Sequence, residues 1–128
     1  MSQTKREIAT QNFKSGCNCA QAVLLAFREY TGLDEKTCLR LAAPFGGGLG
    51  RQREVCGAVS GAMMGLGMAY GDENNRQCGK SKEFLEAFQK EFGSILCREL
   101  VQPEGQEKKA LCPTYINYAA NYLEDEFA

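Results

Sequence analysis

The chain has 128 residues, 44% hydrophobic and 24% charged, with seven cysteines and no histidine. That length suits one domain with its own core, read here as a single unit over 1–128, and 15 basic residues against 16 acidic ones leave no electrostatic footprint for nucleic acid or an anionic membrane. The lack of histidine excludes a mixed Cys/His zinc site, a Cys–His nucleophile pair and a histidine general base.

In chain order, Ile8, Ala9 and Phe13 predict an amphipathic helix over Thr4–Phe13, ended by Lys14, Ser15 and Gly16. The segment Met1–Thr10 is polar and charged, unlike a secretory signal, so a cytoplasmic location is expected. Asn18 with Gln21 three residues on has the form of a capping box, and Ala22, Val23, Ala26, Phe27 and Tyr30 continue a helix expected to stop at Gly32. Asp34 can cap a third helix with Cys38, Leu41 and Ala42 on one side, closed by Pro44 and the run Gly46 to Gly50. A longer helix is expected from Arg51 to about Tyr70, although each of Gly57, Gly61, Gly65 and Gly67 costs roughly 1 kcal/mol against alanine. Gly57, Gly61 and Gly65 recur every four residues, a small-residue stripe that suits close contact with another helix, within the chain or in a homodimer. The apolar stretch Val55–Tyr70 is too short to cross a bilayer.

Phe84, Leu85, Phe88 and Phe92 place the next helix at Lys80–Phe92, with Gly93 ending it. Ser94 can cap a short helix through Leu100, Gln102–Lys109 reads as a polar loop, and Pro113 suits the first position of a last helix bearing Tyr115, Ile116, Tyr118, Ala119 and Leu123. No strand alternation appears, so the expected architecture is an all-α, single-domain helical bundle of about six or seven helices.

On this map Cys19, Cys56, Cys97 and Cys112 all stand at or beside expected helix beginnings. Unpaired amides and the positive end of a helix dipole favour thiolate, the form that binds metal or attacks. Seven cysteines in a chain expected to be cytosolic point to metal or redox chemistry rather than to structural disulfides. There is no Cys-x-x-Cys pair, so a thioredoxin-type site and a zinc ribbon lack support, whereas a site assembled by folding from four helices is open. Cys38 and Cys78 read as buried small hydrophobes, and Cys17 is ambiguous. The glycine loop lacks the Walker and dinucleotide spacings. Gly46, Gly47, Gly48 and Arg51 are candidate cofactor-binding residues through close backbone approach to the cysteine site, with Arg51 and Arg53 balancing its charge. Met63, Met64 and Met68 read as core filling, and Glu29, Glu83 and Glu86 as solvated.

Gly16-Cys17-Asn18-Cys19-Ala20-Gln21-Ala22-Val23, Phe45-Gly46-Gly47-Gly48, Cys56-Gly57-Ala58-Val59-Ser60-Gly61, Cys97-Arg98-Glu99-Leu100 and Cys112 together resemble the redox-protein family named for its C-GCAxxG-C-C cysteine pattern. The resemblance runs over nearly the whole chain and aligns the family cysteines with Cys19, Cys56, Cys97 and Cys112. The chain departs from it at Val55, where the pattern has glycine, and Cys17, Cys38 and Cys78 are additional. The family in turn resembles the cluster-bearing helical part of split-Soret cytochrome c, a dimeric protein in which cysteines hold a [2Fe-2S] centre. Haem does not carry over, since the chain has neither an attachment sequence nor a histidine ligand. The resemblance implies a [2Fe-2S] electron-transfer or redox-sensing protein with Cys19, Cys56, Cys97 and Cys112 as metal ligands and an unidentified redox partner protein. The rivals are a thiol-disulfide oxidoreductase using the same four cysteines, with no metal, and a structural zinc module.

Overall fold

The computed structural model describes residues 4–100 and 107–127; for 107–112 it describes the backbone path alone. Among the described residues the chain is an all-α bundle of eight α-helices: α1 Lys5–Lys14, α2 Cys19–Ala26, α3 Arg28–Thr31, α4 Glu35–Ala42, α5 Gly57–Tyr70, α6 Asn74–Phe92, α7 Cys97–Leu100 and α8 Glu107–Phe127. No helix among them is long and apolar enough to cross a membrane.

Local chemistry starts the first helices, at Asn18 and Asp34 as the sequence predicts and at Thr4 as well. Thr4 and Glu7 form a reciprocal capping box on α1, Asn18 and Gln21 form another on α2, and the Asp34 carboxylate accepts the Thr37 N–H at 2.8 Å to start α4. The expected second helix breaks at Phe27, whose φ of −109° and ψ of 25° leave helical geometry, so α3 is a separate turn before Gly32. On α4 the buried residues are Cys38 and Ala42, whereas Leu41 points outward at 49% exposure. A 3-10 turn, Ala43–Phe45, then leads into the glycine loop.

Three further expectations need correction. The long glycine-bearing helix begins at Gly57, not Arg51, because Arg51 and Arg53 are in the left-handed region as part of the loop and Val55 then pairs with Leu96 in an isolated antiparallel bridge. Helix α6 begins at Asn74, six residues earlier than Lys80, so residues 74–79 are helical too. Pro113 lies inside α8 and not at its first position, and Glu107 to Lys109 are helical; residues 102–106 of the expected loop lie outside the described residues.

Helix α5 is the central element, packed against α2, α6 and α8, while α1 lies against α2 and α8. The small-residue stripe explains this. A β-carbon built on Gly61 would lie 2.7 Å from the Ala20 carbonyl oxygen of α2, and one on Gly65 would lie 3.3 Å from Leu123 of α8. The glycines are an internal contact that lets backbones approach, and the buried area gained offsets their low helix propensity. The main core gathers Val23, Phe27, Val59, Leu66, Phe84, Phe88, Ile116 and Leu123. A smaller one joins Ala20, Leu24, Cys38 and Ala42 under Phe45 and Met64. Met63 and Met64 are half-buried, but Met68 is 51% exposed and fills no core.

Candidate cysteine redox site

Cys19, Cys56 and Cys97 come from three separated segments and end in one apolar cluster, exposed by 9%, 5% and 7%. Each is positioned by its local backbone. Cys19 is the first residue of α2, and Asn18 fixes it: Gln21 N–H donates to Asn18 Oδ1 at 2.8 Å and Asn18 N–H donates to Gln21 Oε1 at 2.9 Å. The two cap side chains also reach outward, Asn18 Nδ2 donating to the Ala43 carbonyl at 3.1 Å and Gln21 Nε2 to the Leu39 carbonyl at 2.8 Å. The start of α2 is thereby tied to the end of α4 and the turn after it.

Cys56 is the N-cap residue of α5 rather than a residue within it. Its N–H donates to the Ile95 carbonyl at 2.8 Å, and Cys97 N–H donates to the Glu54 carbonyl at 2.6 Å. These bonds flank the Val55–Leu96 bridge, so Cys56 and Cys97 each stand one residue past a bridge partner. Arg98 reinforces the pairing: its N–H donates to the Arg53 carbonyl at 3.2 Å and its guanidinium to the Glu54 carboxylate at 2.7 and 3.2 Å. Cys19 joins them through Gly57, where a built β-carbon would lie only 2.9 Å from Cys19 Cβ. Tyr115 O–H donates to the Leu100 carbonyl at 2.5 Å and fastens α8 to the end of α7.

The glycine loop is a scaffold for this arrangement. Gly47, Gly48, Leu49, Gly50 and Arg51 have successive left-handed φ values between 59° and 77°, followed by Arg53 at 63°. The N–H groups of Leu49, Gly50, Arg51, Arg53 and Glu54 donate to carbonyls of residues 44–48, at 2.6 to 3.4 Å. These five amides are therefore turned onto the loop itself rather than outward to an anion. A β-carbon on Gly48 would lie 2.6 Å from Glu54 N, and one on Gly47 would lie 2.9 Å from Arg51. Among the candidate cofactor-binding residues, Gly46, Gly47 and Gly48 thus have packing roles, and Arg51 closes the loop through its N–H to the Gly46 carbonyl at 3.1 Å.

The other described cysteines differ in their surroundings. Cys17 is half-buried against the same cluster, and burial, with Glu35 adding to it, raises its thiol pKa. Cys38 is fully buried in the smaller core, and its pKa is raised chiefly by burial; Cys78 is exposed on α6, not buried as the sequence suggested. The Cys112 side chain lies outside the described residues; its backbone is inside α8, so it does not occupy the helix beginning that Pro113 suggested. Among the described residues no three His, Cys, Asp or Glu side chains form a group that could hold a metal ion.

Cys19, Cys56 and Cys97, the glycine loop and the Cys-Gly-Ala-x-x-Gly start of α5 thus pack together, and a family defined on such a cysteine pattern matches residues 17–126, under the description "Putative redox-active protein (C_GCAxxG_C_C)". The chain belongs to this C_GCAxxG_C_C family. No curated protein and no solved structure matches it. Within the C_GCAxxG_C_C pattern, Val55 replaces a glycine, and its place in the bridge shows why a β-branched residue is tolerated: the backbone is extended there. Sequence reasoning missed that bridge and the Glu54–Arg98 pair, since one bridge is too short to produce alternation.

Proposed function

We propose that this family member is an electron-transfer or redox-sensing protein whose redox centre is a [2Fe-2S] cluster held by Cys19, Cys56, Cys97 and Cys112. The observation that carries the reading is the burial of Cys19, Cys56 and Cys97 in one apolar cluster. Exchange with a partner's thiols needs an accessible sulfur and a stable thiolate, and burial in apolar surroundings opposes both. Electrons can instead reach a buried centre without any protein sulfur being exposed. The donor set fits such a group: it is all sulfur, in a chain without histidine. Cys112, whose side chain lies outside the described residues, is the fourth ligand of this reading. A [2Fe-2S] cluster there would supply one-electron reduction and oxidation, tuned by hydrogen bonds to sulfur and by exclusion of water.

The redox-active family pattern of spaced cysteines also accommodates a second reading, thiol-disulfide chemistry among these four cysteines. An absorption spectrum with iron, sulfide and zinc analysis on protein purified without oxygen separates the two. The first reading expects visible bands and about two irons per chain, lost in Cys56→Ser. Metal-free protein whose thiol count changes on reduction would replace it with the second, and stoichiometric zinc without redox change would leave a structural metal module.

A further inference from the structure

Beside the cysteine cluster the surface opens into a hollow of about 430 Å³. Its lining comes from the 3-10 turn and glycine loop (Phe45, Leu49), one side of α5 (Val59, Met63), Leu85 of α6 and Ile95, whose carbonyl holds Cys56, among others. No lining residue is titratable, and Ser60 brings the single side-chain hydroxyl. We propose that this hollow is a binding site for a small, uncharged aromatic molecule carrying one hydrogen-bonding group.

The argument is one of size and chemistry. The volume falls in the range of ligand pockets, about 300–1,000 Å³, whose walls are mostly apolar with few polar groups. A charged ligand would lose its hydration against a lining with no counter-charge. The Met63 and Met64 thioethers and the Phe45 ring favour a flat aromatic guest through sulfur–ring and ring–ring contacts. A second copy of the chain is a poorer fit, because a stable dimer covers about 800 Å² on each partner. Of the exposed large hydrophobics among the described residues, only Leu49 borders the hollow; Tyr30, Leu41 and Met68 lie outside its lining. The site does not depend on which redox chemistry the cysteines perform.

The test is a fluorescence titration of the full chain with N-phenyl-1-naphthylamine, an uncharged aromatic amine whose N–H can donate to Ser60. Saturable emission enhancement at one probe per chain is expected, in protein with or without iron. Leu49→Glu, at an exposed loop position, and Met63→Glu should each weaken binding by about tenfold or more, since each sets a charge in the lining. Met68→Glu, exposed and off the hollow, should leave binding unchanged. Circular dichroism checks that each variant is folded, and Leu49→Glu carries the test where Met63→Glu is not. Absence of saturable binding, or equal binding by folded Leu49→Glu, would overturn the proposal. So would a dimer in sedimentation that Leu49→Glu dissolves, which would assign the hollow to a second copy. Loss of the visible spectrum alone would bear on the cluster and not on this site.

Discussion

The side chain of Asn18 occupies the space that a β-carbon on Gly46 would need, since a Cβ built there would lie 2.5 Å from Asn18 Cγ. Gly46 has an extended backbone, φ −72° and ψ 151°, so any residue could adopt its conformation and the requirement is steric. Gly46→Ala is expected to push Asn18 off its cap and to cost about 1–3 kcal/mol, as overpacking typically does. Asn18→Ala should cost about 1 kcal/mol for the cap itself. Urea unfolding of the two single variants and the double variant checks this: if both act through the start of α2, the double variant loses less than the sum.

The glycines of α5 should divide sharply by position. Gly61→Ala sets a methyl 2.7 Å from the Ala20 carbonyl, so α2 and α5 must separate, and a destabilisation of about 1–3 kcal/mol is expected. Gly67 has nothing within 4 Å of its built β-carbon, and Gly67→Ala should stabilise by about 0.4–1 kcal/mol by reducing unfolded-chain entropy. Thermal melts of the two variants give shifts of opposite sign on this account.

Acid and alkaline stability should both report on one surface network. The Glu126 carboxylate accepts from Lys80 at 2.9 Å and from the Tyr70 hydroxyl at 2.7 Å, and these bonds, Lys80 first, lower its pKa below 4.5. A lowered folded-state pKa gives stability that is full above the ordinary value and lost as pH falls through the folded one. Lys80, raised above 10.5 mainly by the same bond, gives stability that is full below that value and lost as pH rises through its folded pKa. Tyr70, raised above 10.0 chiefly by Glu126, acts in the same direction. Glu126→Gln should flatten both limbs of a stability-against-pH curve measured by urea unfolding, and an unchanged acid limb would contradict the assignment.

Alkylation should sort Cys17, Cys38 and Cys78 by burial. Iodoacetamide on the native chain is expected to label exposed Cys78 first, half-buried Cys17 slowly, and Cys38, fully covered by the smaller core, only after unfolding. Cys38→Ala should cost about 1 kcal/mol of stability for its lost packing and leave the visible spectrum, where present, unchanged. Peptide mass analysis over time reads the order.

What was legible in the sequence was what short-range chemistry decides. Asn18 with Gln21, Asp34, Gly32 and Gly93 mark ends that involve neighbours within a few residues, and the structure has them there. The glycine stripe was readable as helix contact because its four-residue period is itself a packing instruction. The bridge at Val55 was not readable, because it answers to distant partners: Ile95 and Leu96 lie some forty residues beyond Val55 and Cys56. Pro113 misled because proline favours a first turn, yet here a helix carries it internally. The gathering of Cys19, Cys56 and Cys97 was suggested by their places at helix starts, but the device joining two of them is a pair of strand-like hydrogen bonds with no periodic trace.

The glycine loop also has a consequence for chirality. Leu49, Arg51 and Arg53 adopt φ values near 64°, a region comfortable for their mirror-image forms. A left-handed turn costs an L-residue roughly 1–2 kcal/mol, so this short coil of opposite hand is maintained by the hydrogen bonds that close it. A chain made by chemical synthesis with D-leucine or D-arginine at these positions would carry the same side chains without that penalty, and its greater resistance to heat would measure what the natural loop gives up to hold the cysteine segment in place.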